Sequence, residues 1–357
     1  MRKTIGTAVR RAIALAVVVF AAGPTIVRAQ DDYSDKDFSL RLASAFIRFT
    51  EVNSAGGQTV ANRWSSAINP AATGWTPIPS KMGFVVSPYY SHIRFKNGTR
   101  LNLTGESFTW DTGEWGAFQP TASQIRSNRA VDNQGLIFDY KVDTYQLQWG
   151  KRFGSWGIGA TANYTSADVV NDLDTPFGRL RASDSHAASY RFRLGALYQP
   201  AERLLAGLMV EYGASPYRAT ALAMGPRGPI IGQTGPVMVK LKGTLQQVIV
   251  RPGVSYEYAD YSTVYLDYQL GHFWSKRGTL NHHLLVAGVD HRILEPLFVR
   301  AAVSVDGRGN AAYTCGVGAY VSRWCSIDLG YHYDILPDLQ PEFGRAHVGQ
   351  LTVSGRF

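Results

Sequence analysis

Histidine is the residue type in this chain that most readily suggests catalysis or metal binding, and two histidines, His282 and His283, are adjacent. On a β-strand, neighbouring side chains point to opposite faces, so the two imidazoles would not bind one metal ion together. No stretch resembles the sets of Ser, His and Asp or Glu that barrel lipases and proteases use. We therefore expect no enzyme activity, no cofactor and no metal site.

A second chemical pattern is the alternation of charged with apolar side chains. Between Tyr190 and Tyr198, Arg191 and Arg193 share one face of the expected strand, while aromatic and aliphatic side chains occupy the other. Such alternation indicates two environments, and in a membrane barrel the polar face lines the lumen. The residues predicted to line the lumen are Arg191, Arg193, Glu211, Glu257, Asp267, Gln269, Asp328 and Arg356. These charges need partners or water, so each is expected either to be a paired wall residue or to hold a plug and control permeation.

The elements that position these residues are a series of short alternating segments. Thirteen segments have the strand pattern: 84–95, 99–110, 134–152, 156–168, 185–198, 203–216, 237–258, 262–274, 280–292, 297–305, 312–321, 325–334 and 347–357. Bacterial barrels have an even number of strands, so we predict about fourteen, with twelve as the alternative. The odd count has three explanations: 237–258 is two strands broken near Thr244, 84–95 belongs to a plug, or a further strand lies upstream.

The links between these segments differ in length. Short links such as Asn97-Gly98, Gly154-Ser155 and Ser322-Arg323 contrast with long polar ones at about 111–133, 171–183, 217–235, 275–280, 306–311 and 336–345. Short periplasmic turns and long external loops are typical of outer-membrane barrels, as are aromatic side chains at strand ends. We predict an all-β protein, a closed antiparallel transmembrane β-barrel in contact with the lipid of the bacterial outer membrane. A secreted β-sandwich is the alternative.

The N-terminus has the pattern of an export signal. A basic start precedes the apolar run 12–22, and Val27-Arg28-Ala29 resembles a cleavage site, which predicts a signal peptide at residues 1–29. This segment holds five basic and no acidic residues, so cleavage would reduce the net charge from +9 to about +4. An excess this small and scattered does not favour nucleic-acid binding.

The chain has two cysteines, Cys315 and Cys325. An oxidising compartment would permit a disulfide bond between them. If the intervening turn lies at Ser322-Arg323, however, Cys325 faces Tyr320 rather than Cys315. We therefore expect both thiols to be free.

Residues 30–82 lack the strand pattern. Small residues and glycines at 54–61 are followed by 65–71, which ends in Asn69-Pro70-Ala71, and this composition favours a compact irregular segment packed inside a larger structure. A small-residue run that leads into Asn-Pro-Ala just before the first barrel strand resembles the N-terminal hatch of the FadL-type long-chain fatty acid transporters. The stretches 198–208, 251–256 and 316–357 are also similar to that family.

The resemblance implies a specific organisation and activity. It implies a fourteen-stranded barrel at 83–357, plugged from the periplasmic side by a hatch at 30–82 that contains Asn69, Pro70 and Ala71. Such barrels pass hydrophobic molecules without ATP. The terminal Phe357 resembles the C-terminal signature that the barrel-insertion machinery recognises. This chain is shorter than the family's members, chiefly in the external loops, which leaves the identity of the solute open.

Two hypotheses from different classes follow. In the first, fatty-acid-like or aromatic solutes pass through an apolar pocket beside the plug, with Phe46, Ile47, Phe49 and Ile68 as the apolar contacts. In the second, a structural or secretion-accessory barrel binds a protein partner through its loops without conducting. A continuous apolar tunnel beside residues 46–75 would favour transport, and a sealed lumen would favour the accessory role. A general water-filled porin is a third possibility, which a plug disfavours.

Overall fold

The computed structural model describes residues 59–63, 66–75, 83–129, 136–175, 178–224, 236–276 and 278–357. The signal peptide predicted at 1–29 lies outside these residues. Fourteen strands form one closed barrel in which each strand is antiparallel to its neighbours in sequence, and the first pairs with the last. The strands are β1 (Phe84–Phe95), β2 (Arg100–Asp111), β3 (Ala117–Ser127), β4 (Leu136–Phe153), β5 (Trp156–Thr175), β6 (Gly178–Ala201), β7 (Leu204–Met224), β8 (Pro236–Ala259), β9 (Ser262–Ser275), β10 (Gly278–Leu294), β11 (Leu297–Asp306), β12 (Ala311–Ser322), β13 (Cys325–Tyr333) and β14 (Ala346–Arg356).

Helical structure in the described residues is confined to single turns. Three 3₁₀ turns lie at Pro70–Gly74, Gly113–Trp115 and Pro337–Leu339, and one α-helical turn lies at Gln340–Phe343. Within the described part of the chain, none of these has the length and apolar character that crossing a bilayer as a helix would need.

The prediction of fourteen strands is confirmed, but the thirteen segments missed one of them. β3 lies within the stretch 111–133, which the sequence pattern assigned to a long link. This strand has no apolar alternation: its inner residues Gln119, Thr121 and Ser123 are polar, and Pro120 is a residue that normally breaks strands. The three explanations offered for the odd count are wrong, since β8 is unbroken, β1 is part of the barrel wall, and the strand that completes the count lies between β2 and β4.

The links divide the barrel into two different ends. At one, here called the turn end, five of the six hairpins have two-residue links: Gly154–Ser155, Glu202–Arg203, Asp260–Tyr261, Glu295–Pro296 and Arg323–Trp324. The opposite end, the link end, holds the longer connections, including 225–235 and 334–345. The long link predicted at 171–183 is largely strand, and the one predicted at 217–235 is strand as far as Met224, because β5 to β7 continue well past the alternating segments. Alternation ends where both faces of a strand meet water, so the pattern could not reveal these extensions.

The wall has an apolar outer face and a polar inner face. On β6, Phe192 and Leu194 are 63% and 64% exposed, while Arg193 between them is 6% exposed. This arrangement is the inverse of that in a water-soluble protein and fits a barrel with lipid outside and an enclosed polar interior.

The two cysteines lie near the turn between β12 and β13. That turn is Arg323–Trp324, one residue later than predicted, so Cys325 pairs with Ser322 and not with Tyr320. Cys315 pairs with Tyr331. The structure has no disulfide bond between Cys315 and Cys325.

Candidate functional site

The described residues before the barrel, 59–63 and 66–75, here called the plug segment, pack against the inner face of the wall. Its 3₁₀ turn at Pro70–Gly74 contacts β4, β5 and β6. Glycines on these strands permit the close approach: a Cβ on Gly159 would overlap the backbone of Pro70, and a Cβ on Gly195 would overlap the side chain of Asn69. The wall is therefore shaped to receive this segment.

Asn69 organises the plug segment. It is fully buried, and its Oδ1 accepts a hydrogen bond from the backbone N–H of Ala71 at 3.0 Å, which caps the turn. Its Nδ2 donates to the carbonyl oxygens of Val60, at 2.8 Å, and Ala196 of β6, at 3.0 Å. Pro70 begins the turn, where the absence of an N–H costs nothing, and Ala71 fits the narrow space against Gly159. The Asn-Pro-Ala motif thus joins two parts of the plug segment to the wall.

Arg193 and Glu211 form the first of two buried ion pairs beneath the plug segment. The guanidinium donates through Nε and Nη2 to Glu211 Oε2 at 3.0 and 2.7 Å. Its Nη1 lies 3.2 Å from the carbonyl oxygens of both Ala67 and Ile68. Gln247 donates to the other carboxylate oxygen at 2.7 Å. Arg193 therefore connects the plug segment to β6 and β7.

Arg251 and Asp267 form the second pair. Arg251 Nε lies 2.9 Å from Asp267 Oδ2, and both side chains are almost completely buried. The same carboxylate accepts hydrogen bonds from the Thr59 hydroxyl at 2.5 Å and the Val60 backbone N–H at 2.7 Å. Arg251 is not among the residues predicted to line the lumen, although it shares the inner face of β8 with Glu257.

The remaining residues predicted to line the lumen lie nearer the turn end or apart from the plug segment. Glu257 pairs with Arg63 of the plug segment, and Asp328 pairs with Arg300 of β11. Gln269 is fully buried on β9. Arg356 lies over the Tyr320 ring, 4.8 Å from its centroid, and faces the lumen. The predicted set therefore does not form one cluster.

Of the predicted apolar contacts, Ile68 is described. It is buried against the inner faces of β7 to β10, in a cluster with Val60, Met209, Leu245, Ile249, Phe273 and Leu280. Phe46, Ile47 and Phe49 lie outside the described residues.

A cavity of about 1160 Å³ lies beside the plug segment. It extends from turn-end residues such as Glu295 and Arg323 inward to Leu103 and Ile125, and Ser66 and Ala67 of the plug segment form part of its side. Hydroxyl, amide and charged side chains make up most of the lining. It is therefore neither the continuous apolar tunnel that the transport hypothesis predicts nor the sealed lumen that the accessory hypothesis predicts.

Arg191 faces this cavity with part of its hydrogen-bonding capacity unused. Its side chain is 9% exposed, and Nη2 donates to Asn163 at 3.0 Å. Glu211 is already engaged by Arg193 and Gln247, and lies 4.0 Å from Arg191 Nη1. No acceptor among the described residues bonds to Arg191 Nε. Two guanidinium groups thus share one carboxylate, which leaves positive charge at the cavity wall.

The cavity ends against an apolar cluster that fills the link end of the barrel. The link between β13 and β14 folds inward rather than outward, and Ile335, Leu336, Leu339 and Phe343 are buried in it. They pack against inward-facing side chains of β1 to β5 and β14. We call this set the mouth cluster: Ile93, Phe95, Leu101, Leu103, Ile125, Phe138, Tyr140, Val142, Ala167, Ile335, Leu336, Leu339, Phe343, Ala346 and Val348.

Buried charges hold the inward link in place. Arg308, in the turn between β11 and β12, lies 2.6 Å from Asp338 Oδ1 and 2.8 Å from Asp306 Oδ2. His282 Nε2 lies 3.8 Å from the second oxygen of Asp338. His283, the neighbour of His282, is on the outer face and bonds to the Tyr268 hydroxyl at 2.6 Å. Asp338 therefore fixes the link to two other elements of the link end.

Prolines interrupt the hydrogen-bond ladder between some strands. The β2–β3 register passes from Ser107 opposite Thr121 to Trp110 opposite Phe118, with no pairs at the intervening residues around Pro120. Proline has no N–H to donate, so the ladder opens on one side of it. Comparable interruptions occur at Pro88, Pro216 and Pro252. The cavity lining includes residues on both sides of the β2–β3 interruption, so the wall beside the cavity lacks ladder hydrogen bonds at this point.

Comparison with solved structures identifies the fold. The toluene transporter TodX of Pseudomonas putida superposes with a TM-score of 0.50 at 11% identity, covering 85% of this chain and 95% of that chain. The monoaromatic hydrocarbon channel CymD superposes with a TM-score of 0.52 at 15% identity, covering 85% of this chain and 94% of that chain. This is the fold of the FadL-type transporters.

The likeness to the FadL-type barrels is one of fold, as these identities require. No protein-family model matches the sequence, and no functionally curated protein matches it. The family resemblance predicted from the Asn-Pro-Ala motif is confirmed at the level of structure.

Proposed function

We propose that this protein is a passive channel of the bacterial outer membrane for hydrophobic molecules that carry a carboxylate, such as fatty acids. The observation that carries the proposal is the meeting of the cavity with the mouth cluster at Leu103 and Ile125. One side of this junction is apolar and the other is polar and positively charged. A solute with an apolar chain and an acidic head matches both.

The mouth cluster favours apolar solutes. A hydrated ion would lose its hydration shell in crossing it, whereas each buried CH₂ group of a hydrocarbon chain gains about 0.8 kcal/mol. An apolar constriction of this kind lets hydrophobic molecules pass and excludes ions. The inward link from Ile335 to Phe343 is then the element that a solute displaces.

The cavity favours solutes with an acidic group. Arg191 lines the cavity beside hydroxyl groups such as that of Thr144, and Glu211 balances its charge only from 4.0 Å. A carboxylate could pair with the Arg191 guanidinium while its chain extends toward Leu103 and Ile125. A hydrocarbon with no polar group would leave this positive charge unbalanced, so we propose amphipathic acids ahead of neutral hydrocarbons.

The interruption between β2 and β3 supports an exit through the wall. Releasing the plug segment would break the hydrogen bonds that Asp267 accepts from Thr59 and Val60, those that Arg193 donates to the backbone of Ala67 and Ile68, and the Arg63–Glu257 ion pair. Each buried polar group left without a partner costs about 1–3 kcal/mol. The wall around Pro120 has already lost its ladder bonds to β2. We therefore propose that the plug, with residues 30–82 as its full extent, stays in place while the solute leaves sideways.

The orientation of the barrel follows the usual asymmetry of outer-membrane proteins. The turn end would face the periplasm and the link end the exterior. A hydrophobic solute would then meet the mouth cluster first and the cavity second.

Uptake by cells tests the proposal. Cells with and without the protein are given a labelled long-chain fatty acid and, in parallel, a labelled hydrophilic sugar. The proposal requires faster uptake of the fatty acid only. Equal fatty acid uptake in the two strains would contradict it and favour an accessory barrel, and faster uptake of both solutes would indicate a general porin.

A further inference from the structure

The outer face of β14, β1 and β2 carries an unbalanced group of cations at the link end. On β1, Ile93 and Phe95 point inward, so Arg94 between them points outward. Arg94 lies directly opposite Arg100 on β2 and opposite His347 on β14. Lys96 and Arg345, whose backbones are hydrogen-bonded to one another, complete the group. The rim patch is defined as Arg94, Lys96, Arg100, Arg345 and His347.

Two like charges in directly opposed positions destabilise a sheet. Arg94 and Arg100 occupy such positions, and neither forms an ion pair with a described acidic residue. Arg345 approaches Asp334 only at 3.9 Å. The repulsion within the rim patch is therefore not compensated by the described part of the protein, and an external anion would remove it.

Three other arginines on the same rim form ion pairs. Arg126 lies 2.5 Å from Asp143, and Arg181 lies 2.6 Å from Asp172. Arg129 lies 2.8 Å from Asp139, at 72% and 33% side-chain exposure. Arg218 and Lys242, opposite one another on β7 and β8, are a second opposed pair of exposed cations. The rim patch differs from this pair in joining four arginine and lysine side chains and a histidine on β14, β1 and β2.

The surface below the rim patch fits a lipid. Toward the middle of the wall, β1 and β13 present Tyr90 and Tyr331, each 43% exposed. Leu329 and Leu351, which are paired across β13 and β14, follow at 55% and 39% exposure. Four residues along a strand span about 14 Å, so the cations lie about one headgroup above the apolar band. The side chains thus change from charged to aromatic to aliphatic toward the middle of the wall. This order matches that of a lipid leaflet, from charged headgroup through the interface to the acyl chains.

We propose that the rim patch binds the phosphate groups of a bis-phosphorylated glycolipid of the outer leaflet, with its acyl chains against Leu329 and Leu351. Four arginine and lysine side chains exceed what a single phosphodiester would neutralise, which favours a headgroup with two phosphates. The inference rests on the proposed function for the orientation that places the link end in the outer leaflet. The lipid would act as a structural partner on the outer wall, apart from the solute pathway.

Lipid retention by the purified protein tests this proposal. The double variant R94Q/R100Q is compared with the wild type and with R179Q/R181Q, which removes two exposed cations from the same rim on β6. Each protein is titrated with bisphosphorylated lipid A, monophosphorylated lipid A and phosphatidylglycerol, and bound lipid is counted by native mass spectrometry. Inorganic phosphate serves as the test for headgroup chemistry alone.

The expected result is tightest binding of bisphosphorylated lipid A to the wild type. R94Q/R100Q should weaken that binding about tenfold or more, and R179Q/R181Q should leave it within about twofold. Equal binding by all three proteins, or equal binding of phosphatidylglycerol and bisphosphorylated lipid A, would overturn the proposal. Displacement of the lipid by millimolar inorganic phosphate would also overturn it, because the site would then be one for free phosphate.

A second measurement guards against misfolding and separates the two proposals. Removal of opposed like charges should not harm the barrel, so R94Q/R100Q should unfold in detergent at a temperature equal to or above that of the wild type. Added bisphosphorylated lipid A should raise the unfolding temperature of the wild type and of R179Q/R181Q, but not that of R94Q/R100Q. Fatty acid uptake should be unchanged in R94Q/R100Q. Loss of lipid retention with normal uptake would support the lipid site. Normal lipid retention in R94Q/R100Q would overturn the lipid site, whatever happens to uptake.

Discussion

The carboxylate of Asp267 accepts a hydrogen bond from the backbone N–H of Val60 at 2.7 Å, although the two residues are 207 positions apart in the chain. Through this contact a wall strand holds the segment that precedes the barrel. The same carboxylate neutralises Arg251, so one side chain balances a buried charge and fixes the plug segment. Changes at Asp267 should therefore alter the lumen without removing any outward-facing side chain.

Substitution of Asp267 by Asn should loosen the plug segment. The change removes the carboxylate charge that pairs with the buried Arg251 guanidinium, and removing one partner of a buried ion pair costs about 3–5 kcal/mol. We expect more frequent and larger ion-conducting openings in planar bilayers than with the wild type. Asp172→Asn, which breaks an ion pair on the rim, is the matched control and should conduct as the wild type does. Identical conductance traces for the wild type and Asp267→Asn would mean that this pair does not hold the plug.

Substitution of Arg191 by Gln should discriminate between acidic and neutral solutes. Loss of a charge-assisted hydrogen bond worth about 1.5–3 kcal/mol should weaken binding of a long-chain fatty acid about tenfold or more. Uptake of the corresponding alcohol should be unchanged. Competition assays with the two labelled compounds measure the ratio, and Arg179→Gln on the outer rim is the control. An equal fall in the uptake of both solutes would show that Arg191 supports the structure of the barrel and does not bind the carboxylate.

Substitution of Asp338 by Asn should release the inward link. The aspartate balances Arg308 and faces His282, so its loss leaves the link tied mainly by the mouth cluster. We expect faster hydrogen exchange of backbone amides between Ile335 and Phe343, measured by mass spectrometry in detergent. Asp260→Asn, at an exposed position of the turn end, should not change this exchange. Unaltered exchange in Asp338→Asn would mean that apolar packing alone holds the link.

A disulfide across the β2–β3 interruption should block exit. Ser107 and Thr121 are opposite one another at its edge, and strand partners lie at Cα separations that a disulfide can bridge. In a background with Cys315→Ser and Cys325→Ser, oxidation of S107C/T121C should abolish fatty acid uptake, and reduction should restore it. The control V299C/V317C joins two strands whose ladder is already continuous, at positions that do not line the cavity. Full uptake by oxidised S107C/T121C would place the exit elsewhere.

The barrel could be predicted from the sequence because lipid on one side and an enclosed polar space on the other impose strict alternation. β3 could not be predicted in this way, because its outer face carries Pro120 and its inner face lines a polar cavity. Apolar and polar residues therefore do not alternate along this strand. The inward course of the link after β13 was missed for another reason. Its residues Ile335, Leu336, Leu339 and Phe343 are apolar, but nothing local to the chain shows that they pack against Leu103 and Phe138.

The candidate site shows the same division between local and long-range information. Alternation assigns Arg193 and Glu211 to the same face, but the partner of each charge depends on register between strands. Arg251 was overlooked because the pattern around Pro252 was interpreted as a family motif. The unused N–H of Arg191 follows from three side chains converging on Glu211, which no spacing along the chain reveals.

The position of a bound fatty acid decides whether the cavity beside the mouth cluster is the solute site. A long-chain fatty acid brominated at its terminal carbon is bound to the purified protein, and the bromine is located by anomalous diffraction. We expect the carboxylate at Arg191 and the bromine beside Leu103 and Ile125, within the cavity that joins the mouth cluster. Bromine found only on the outer wall, with the cavity unchanged, would contradict it.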